Sequence, residues 1–183
     1  MEPAELAAVA FGVLYILLAI REHRACWIAG GISTAIYAGV FFNAGLPLQA
    51  ALQVVYVAMS VYGWLAWKPD PAAATPRTWP VMGHFAALAG VGLATAVTAP
   101  LAAHGELDVA AVGDSLGTWA SLVATWLLAR RIAENWLWWI VIDAGLAALF
   151  AGQGLAVTGA LYLAYALLAV AGLRSWRKRR AHS

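Results

Sequence analysis

Residues 11–68 read FGVLYILLAIREHRACWIAGGISTAIYAGVFFNAGLPLQAALQVVYVAMSVYGWLAWK, and residues 120–177 read ASLVATWLLARRIAENWLWWIVIDAGLAALFAGQGLAVTGALYLAYALLAVAGLRSWR. Set one under the other, with residue 11 on residue 120, they need no gap: the shift is 109 throughout. Leu18 falls on Leu127, Arg21 on Arg130, Trp27 on Trp136, Phe41 on Phe150, Tyr56 on Tyr165, Gly63 on Gly172 and Trp67 on Trp176. Ala and Leu coincide by chance in apolar segments. Trp, Tyr, Arg, Phe and Gly in one register do not, so the chain reads as a duplication.

Composition says where the duplicated unit lives. Of the 183 residues, 63% are hydrophobic and only 11% are charged, and the mean hydropathy is +0.77. A soluble domain carries about 25% charged residues. A soluble globule, a disordered chain and a nucleic-acid binder are excluded together. A helix needs roughly 20 apolar residues to cross a bilayer core. Seven stretches qualify, near 4–20, 26–43, 47–67, 79–99, 109–129, 135–151 and 155–174. Spans must be helices, because lipid offers the backbone no hydrogen-bond partner. Gly, Pro and charge punctuate the breaks, four of the seven prolines lying at 69, 71, 76 and 80. The first stretch lacks a basic start and a small-residue cleavage site, so it reads as a span and not a signal peptide.

The fold expected is therefore an all-α integral membrane protein of seven transmembrane helices. Two three-helix bundles (4–67 and 109–176) flank a linker helix (79–99). An offset of four spans keeps both copies pointing the same way, a 3+1+3 parallel repeat of the kind common in transporters. With the carboxyl terminus in the cytoplasm and the amino terminus outside, the cytoplasmic segments hold all 11 basic residues. That complete positive-inside bias supports both the span count and the direction. The basic tail, Arg174–Arg180, reads as an anchor on anionic lipid.

Polar groups in hydrocarbon usually face the bundle interior or a cavity. On the third span Gln49, Gln53, Tyr56, Ser60, Gly63 and Trp67 share one helical face, and Thr158, Tyr162, Tyr165, Ala169, Gly172 and Trp176 repeat the spacing on the seventh. Asp114, Thr118, Ser121 and Thr125 make a stripe on the fifth, answered by Glu5, Val9, Gly12 and Ile16 on the first. Asp143 lies eight residues into the sixth span, ~12 Å deep. A charged Asp at a helix centre costs ~2.5–3.5 kcal/mol on insertion scales, and no Lys or Arg lies in a span to pair with Asp143 or Asp114. A cationic ligand, a proton or local hydrogen bonds remain as partners. Trp136, Trp139 and Asp143 stand at i, i+3 and i+7, so aromatic faces beside a carboxylate would suit a flat cationic ring. Trp27, Trp64, Trp67, Trp79, Trp136 and Trp176 fall at span ends, where an interfacial belt is expected. Trp119 reads as core.

The single cysteine, Cys26, allows no internal disulfide, and nothing reads as a metal site. There is no phosphate-binding loop, nucleophile elbow or zinc-protease helix, so an enzyme is unsupported and no cofactor is expected. His23, His84, His104 and His182 are scattered, as interface residues usually are.

Several of these residues together resemble the PnuC family of bacterial vitamin transporters. They are Ala51-Leu52-Gln53, Tyr62-Gly63-Trp64 with Trp67, Asp114-Ser115, Arg130, Glu134-Asn135-Trp136, Trp139, Asp143 and Gln153-Gly154. The resemblance implies SWEET-like architecture and facilitated uptake, across the bacterial inner membrane, of an unphosphorylated vitamin precursor. Nicotinamide riboside comes first, with thiamine and riboflavin in related subgroups. It also implies a cytoplasmic kinase that traps the substrate, a lipid bilayer as the surroundings, and no nucleic acid; a homo-oligomer is compatible with it. The pocket residues would be Trp139 and Trp136 for stacking, Asp143 for charge or ribose, and Gln53, Tyr56, Tyr165 and Thr118 for hydrogen bonds, with Asp114 nearby. Asp143 stands where some nicotinamide riboside members are expected to carry Asn, which suits a more cationic ligand or another vitamin and leaves the substrate open. Proton symport through Asp114 or Asp143, and a membrane scaffold acting through the basic tail, are the competing readings.

Overall fold

In the computed structural model the chain is all-helical, and the residues described are 3–45, 47–67, 75–102, 109–152 and 154–181. Seven helices follow in order: α1 (Pro3–Ile20), α2 (Cys26–Asn43), α3 (Pro47–Ala66), α4 (Val81–Ala102), α5 (Val109–Ala129), α6 (Asn135–Gly152) and α7 (Ala156–Ala181). The expected stretches coincide with them to within two or three residues at nearly every boundary. The main exception is α7, which runs on through the basic tail. Arg and Lys are good helix formers, and cations at a helix C-terminus complement its dipole, so nothing ends the helix where hydropathy falls. Pro100 was read as the start of a break, yet α4 continues to Ala102. The residues 68–74 and 103–108 of two expected breaks, with His104, Gln153 and His182, lie outside the described residues.

Six of the helices are long and apolar enough to cross a membrane. α5 has 21 residues but carries Asp114, Ser115, Thr118, Ser121 and Thr125. With that polar stripe, α5 is not among those six.

The chain divides into two compact units, α1–α3 and α4–α7 as far as Arg177. In the first, α2 packs on both α1 and α3. The α1–α2 corner turns through Glu22, at φ 55°, with the amide of His23 donating to the Leu18 carbonyl at 2.9 Å. Across α1 and α2, the buried Ser33 hydroxyl donates to the Ala8 carbonyl at 2.8 Å. Between α2 and α3, Trp27 lies directly on Gly63 and meets Trp67 edge-on at 5.6 Å and 88°.

In the second unit α5 packs on α4 and α6. The α5–α6 corner turns through Arg131, at φ 56°, with the amide of Ile132 donating to the Leu127 carbonyl at 2.9 Å. Trp136 lies on Gly172 of α7 and meets Trp176 edge-on at 5.7 Å and 82°. The α2–α3 and α6–α7 corners also correspond, turning through Gly45 at φ 74° and Gly154 at φ 79°. Apart from the Ser33–Ala8 hydrogen bond, whose positions fall on Ile142 and Gly117, each of these features recurs 109 positions on.

The segment entering α4 is tied to the α5–α6 corner. Arg77 forms an isolated β-bridge with Ile132, its amide donating to the Arg131 carbonyl at 2.8 Å and its carbonyl accepting from the Ala133 amide at 2.9 Å. The Trp79 amide donates to Glu134 Oε2 at 3.3 Å.

Candidate substrate site

The inward stripes read from the sequence are inward in the structure. Gln49, Gln53 and Tyr56 are half-buried and Ser60, Gly63 and Trp67 buried, whereas Val54, Val55, Val61 and Leu65 beside them are exposed. On α7, Thr158, Tyr162 and Tyr165 are half-buried and Ala169, Gly172 and Trp176 buried, the same gradient. On α5 the stripe deepens along the helix: Asp114 is exposed, Thr118 and Ser121 half-buried, Thr125 buried. Asp114, five residues into α5, is thus the one candidate with an open side chain.

On α6, Asp143 is 6% exposed, and among the described residues no hydrogen bond or ion pair reaches its carboxylate. A buried polar group without a partner is costly unless something else satisfies it. Trp139 is half-buried and packs against the core cluster of Val91, Ala120, Ala124 and Ile142. Trp136, one turn earlier, is only 3% exposed. One side of its ring is taken by Gly172 and Trp176, so Trp136 turns to α7 while Trp139 turns to α4 and α5. Its indole N–H is buried without an acceptor among the described residues, and so is that of Trp27. Tyr165 meets Tyr162 edge-on at 6.1 Å, and Tyr162 stacks on Phe150 of α6 at 5.3 Å. In the first unit the Tyr56 carbonyl accepts from Ser60, 2.9 Å away.

The expected tryptophan belt is corrected in part. Trp27, Trp67, Trp136 and Trp176 are at most 3% exposed. They are core, because Gly63 and Gly172 let an indole lie on a helix backbone. Trp64 and Trp79 remain half-buried, Trp64 beneath the Arg24 guanidinium at 3.7 Å.

Two residues hold contacts that the sequence reading did not assign them. Asn135 is fully buried, its Nδ2 donating to the Ile132 carbonyl at 2.6 Å while Oδ1 has no partner among the described residues. It starts α6 immediately before Trp136, and an amide next to a tryptophan could have flagged it. His84, read as solitary, accepts a hydrogen bond on Nδ1 from Trp138 Nε1 at 3.1 Å and has Trp79 edge-on at 4.9 Å. Its partner is 54 residues away, and no local pattern signals that.

The family model for nicotinamide mononucleotide transporters matches residues 2–178. The chain belongs to that family. It is a family of membrane transporters, not of enzymes. Among curated relatives, the nicotinamide riboside transporter PnuC of Escherichia coli (strain K12) is 28% identical over 193 residues, covering 90% of this chain and 81% of that protein. The riboflavin/roseoflavin transporter RibM of Streptomyces davaonensis is 29% identical over 178 residues, covering 92% and 83%. The crystal structure of the vitamin B3 transporter PnuC superposes with a TM-score of 0.74 at 21% identity, covering 98% of this chain and 82% of that one. This member of the family is thus a multi-pass membrane protein with the fold of that transporter.

Proposed function

We propose that this transporter carries nicotinamide riboside by facilitated diffusion, and that α6 provides its ligand-recognising face. The observation that carries the reading is Asp143, buried and without a protein partner among the described residues, one turn from the half-open Trp139. A pyridinium ring supplies what both lack: a cation for the carboxylate and a flat face for the indole. Trp139 is assigned the stacking role. Trp136, buried against Gly172 and Trp176, holds α6 on α7 one turn earlier. Tyr165, Thr118, Gln53 and Tyr56 are assigned hydrogen bonds to ribose or carboxamide, and Asp114 a place near the entrance. The match to the Escherichia coli nicotinamide riboside transporter supports this choice.

The topology proposed with it has seven spans, α5 included, in a SWEET-like 3+1+3 parallel repeat with the amino terminus outside. The recurrence of both corners and both tryptophan–glycine contacts at an offset of 109 supports the duplication. The placement of all 11 basic residues supports the orientation. A uniporter needs a sink, and a cytoplasmic kinase that phosphorylates the vitamin would provide one.

Uptake of radiolabelled nicotinamide riboside in a bacterial strain lacking its own carrier tests the reading. Uptake above empty vector that persists after the proton gradient is collapsed is the expected result. Loss on collapse would favour proton symport, and no uptake would defeat the proposal. Riboflavin is the second ligand to try, because RibM is as similar to this chain as PnuC is.

A further inference from the structure

Between α4 and α5 runs an apolar groove of about 460 Å³, lined by Trp79, Gly90, Val91, Trp119, Leu122 and Trp126 among others. It has a polar end and a deep end. At the first, Trp79 and Trp126 meet edge-on at 5.6 Å, and the exposed Arg130 holds its guanidinium 5.5 Å from the Trp126 ring. Arg77, also exposed, is joined through its backbone to Arg131, the residue after Arg130. The acidic neighbour is Glu134, and its Oε2 already accepts the Trp79 amide. Trp119 marks the deep end, its Nε1 donating to Thr98 Oγ1 at 3.0 Å, so the far wall presents no unsatisfied indole N–H.

We propose that this groove is a binding site for one anionic glycerophospholipid, with an acyl chain in the slot and the phosphate on Arg130 and Arg77. Three features select that occupant. The slot is apolar along its length and opens at a helix end, where a lipid tail would enter. Tryptophans frame the mouth at the level of the glycerol backbone. Two cations lie beyond them, and among the described residues no ion pair neutralises either. A basic recess between transmembrane helices is the arrangement that recognises anionic headgroups. Neither this groove nor the larger one of about 800 Å³ along α4, α5 and α6 has arginine or lysine in its lining, but the smaller one has a lining ring, Trp126, with the Arg130 guanidinium over it, and among the described residues no cation is placed so against the larger. The larger groove lacks the charge that would make a lipid choice specific. The inference is independent of which vitamin is carried and of which way the chain faces.

Native mass spectrometry of the detergent-purified full chain tests the site. Palmitoyl-oleoyl phosphatidylglycerol competes with the phosphatidylcholine of the same chains. Because the basic tail also attracts anionic lipid, the reference protein carries Arg177, Lys178, Arg179 and Arg180 changed to Gln. We expect it to bind phosphatidylglycerol about thirtyfold better, as about 1 kcal/mol for each of the two cations implies. Arg130→Gln should lower that preference to about fivefold, and adding Arg77→Gln should bring the two lipids to within about twofold of parity. Gly90→Leu should lower retention of both lipids several-fold by filling the slot. A Cβ at Gly90 meets no atom within 4 Å, and a Tm equal to that of the reference protein checks that the variant keeps its fold. Parity already in the reference protein, or a preference that survives undiminished in the protein lacking both Arg130 and Arg77, overturns the proposal.

Discussion

Gly172 and Trp136 are in contact in a way that only glycine permits: a Cβ on residue 172 would stand 2.5 Å from Cδ2 of the indole. Gly63 and Trp27 have the same relation in the first unit. Both indoles then meet a second tryptophan at nearly a right angle, Trp176 or Trp67. These rings join the second helix of each bundle to the third. Gly172→Ala must push a ring with no room to move, and overpacking of this kind costs about 1–3 kcal/mol. For a chain of this size that is a fall in Tm of roughly 2–10 °C. Gly145→Ala, where an added Cβ meets nothing, should leave Tm unchanged or raise it slightly, since glycine costs a helix interior up to about 1 kcal/mol. Thermal unfolding in detergent compares the two directly.

The two tryptophans of α6 should separate by function. Trp136→Ala removes a buried ring and should cost about 3–5 kcal/mol of stability, as large core truncations do. Trp139→Ala truncates a half-open ring, and its main expected effect is on the ligand. Loss of a cation–π stack worth about 0.5–2 kcal/mol weakens nicotinamide riboside binding roughly 2- to 30-fold. Trp139→Phe should recover part of it. Calorimetric titration of detergent-purified variants, alongside their Tm values, reads both axes. A Trp139→Ala protein that binds like wild type removes this indole from the site.

The helices were legible because apolar stretches between Gly, Pro and charged breaks leave the chain little choice. The correspondence of the corners and of the tryptophan–glycine contacts at an offset of 109 was legible because Trp, Gly and Arg recur in register. The role of the tryptophans was legible only in part. Trp27, Trp67, Trp136 and Trp176 stand at span ends, where the interface ordinarily explains them. What makes them core is the partner surface, a glycine 36 residues away in each copy (Trp27 to Gly63, Trp136 to Gly172), and periodicity within one helix does not reveal it. The Trp138–His84 hydrogen bond and the Arg77–Ile132 bridge were hidden for the same reason: each joins elements that only the packing of α4 on α5 and α6 brings close. The inward stripes were readable because a face needs only local spacing. Their exception, Asp114, lies where α5 begins and its neighbours no longer enclose it.

His84 couples α4 to α6. It accepts from Trp138 Nε1 and touches Trp79, while Glu134 receives the Trp79 amide. His84→Leu leaves the Trp138 N–H unsatisfied in a mostly apolar setting, and the loss of one such bond costs about 1–3 kcal/mol. His84→Gln, which keeps an acceptor, should restore most of it. A lower Tm for His84→Leu than for His84→Gln is the expected order. Equal values would mean that the hydrogen bond contributes nothing.

Asp143→Asn separates charge from shape at the proposed site. The two side chains are nearly isosteric, but the amide carries no charge into the bilayer. Inserting a charged Asp at a helix centre costs about 2.5–3.5 kcal/mol, so the variant should be at least as stable as the parent. Its affinity should change by ligand. A pyridinium riboside loses its counter-charge, and binding should weaken by about tenfold, the value of a modest charge-assisted contact. Riboflavin is uncharged at neutral pH and should bind equally well to both proteins or slightly better to the variant. Titration of both vitamins into both proteins reads the four affinities. A parallel loss for the two ligands would make Asp143 a structural residue, and an unchanged affinity for nicotinamide riboside would take its carboxylate out of recognition.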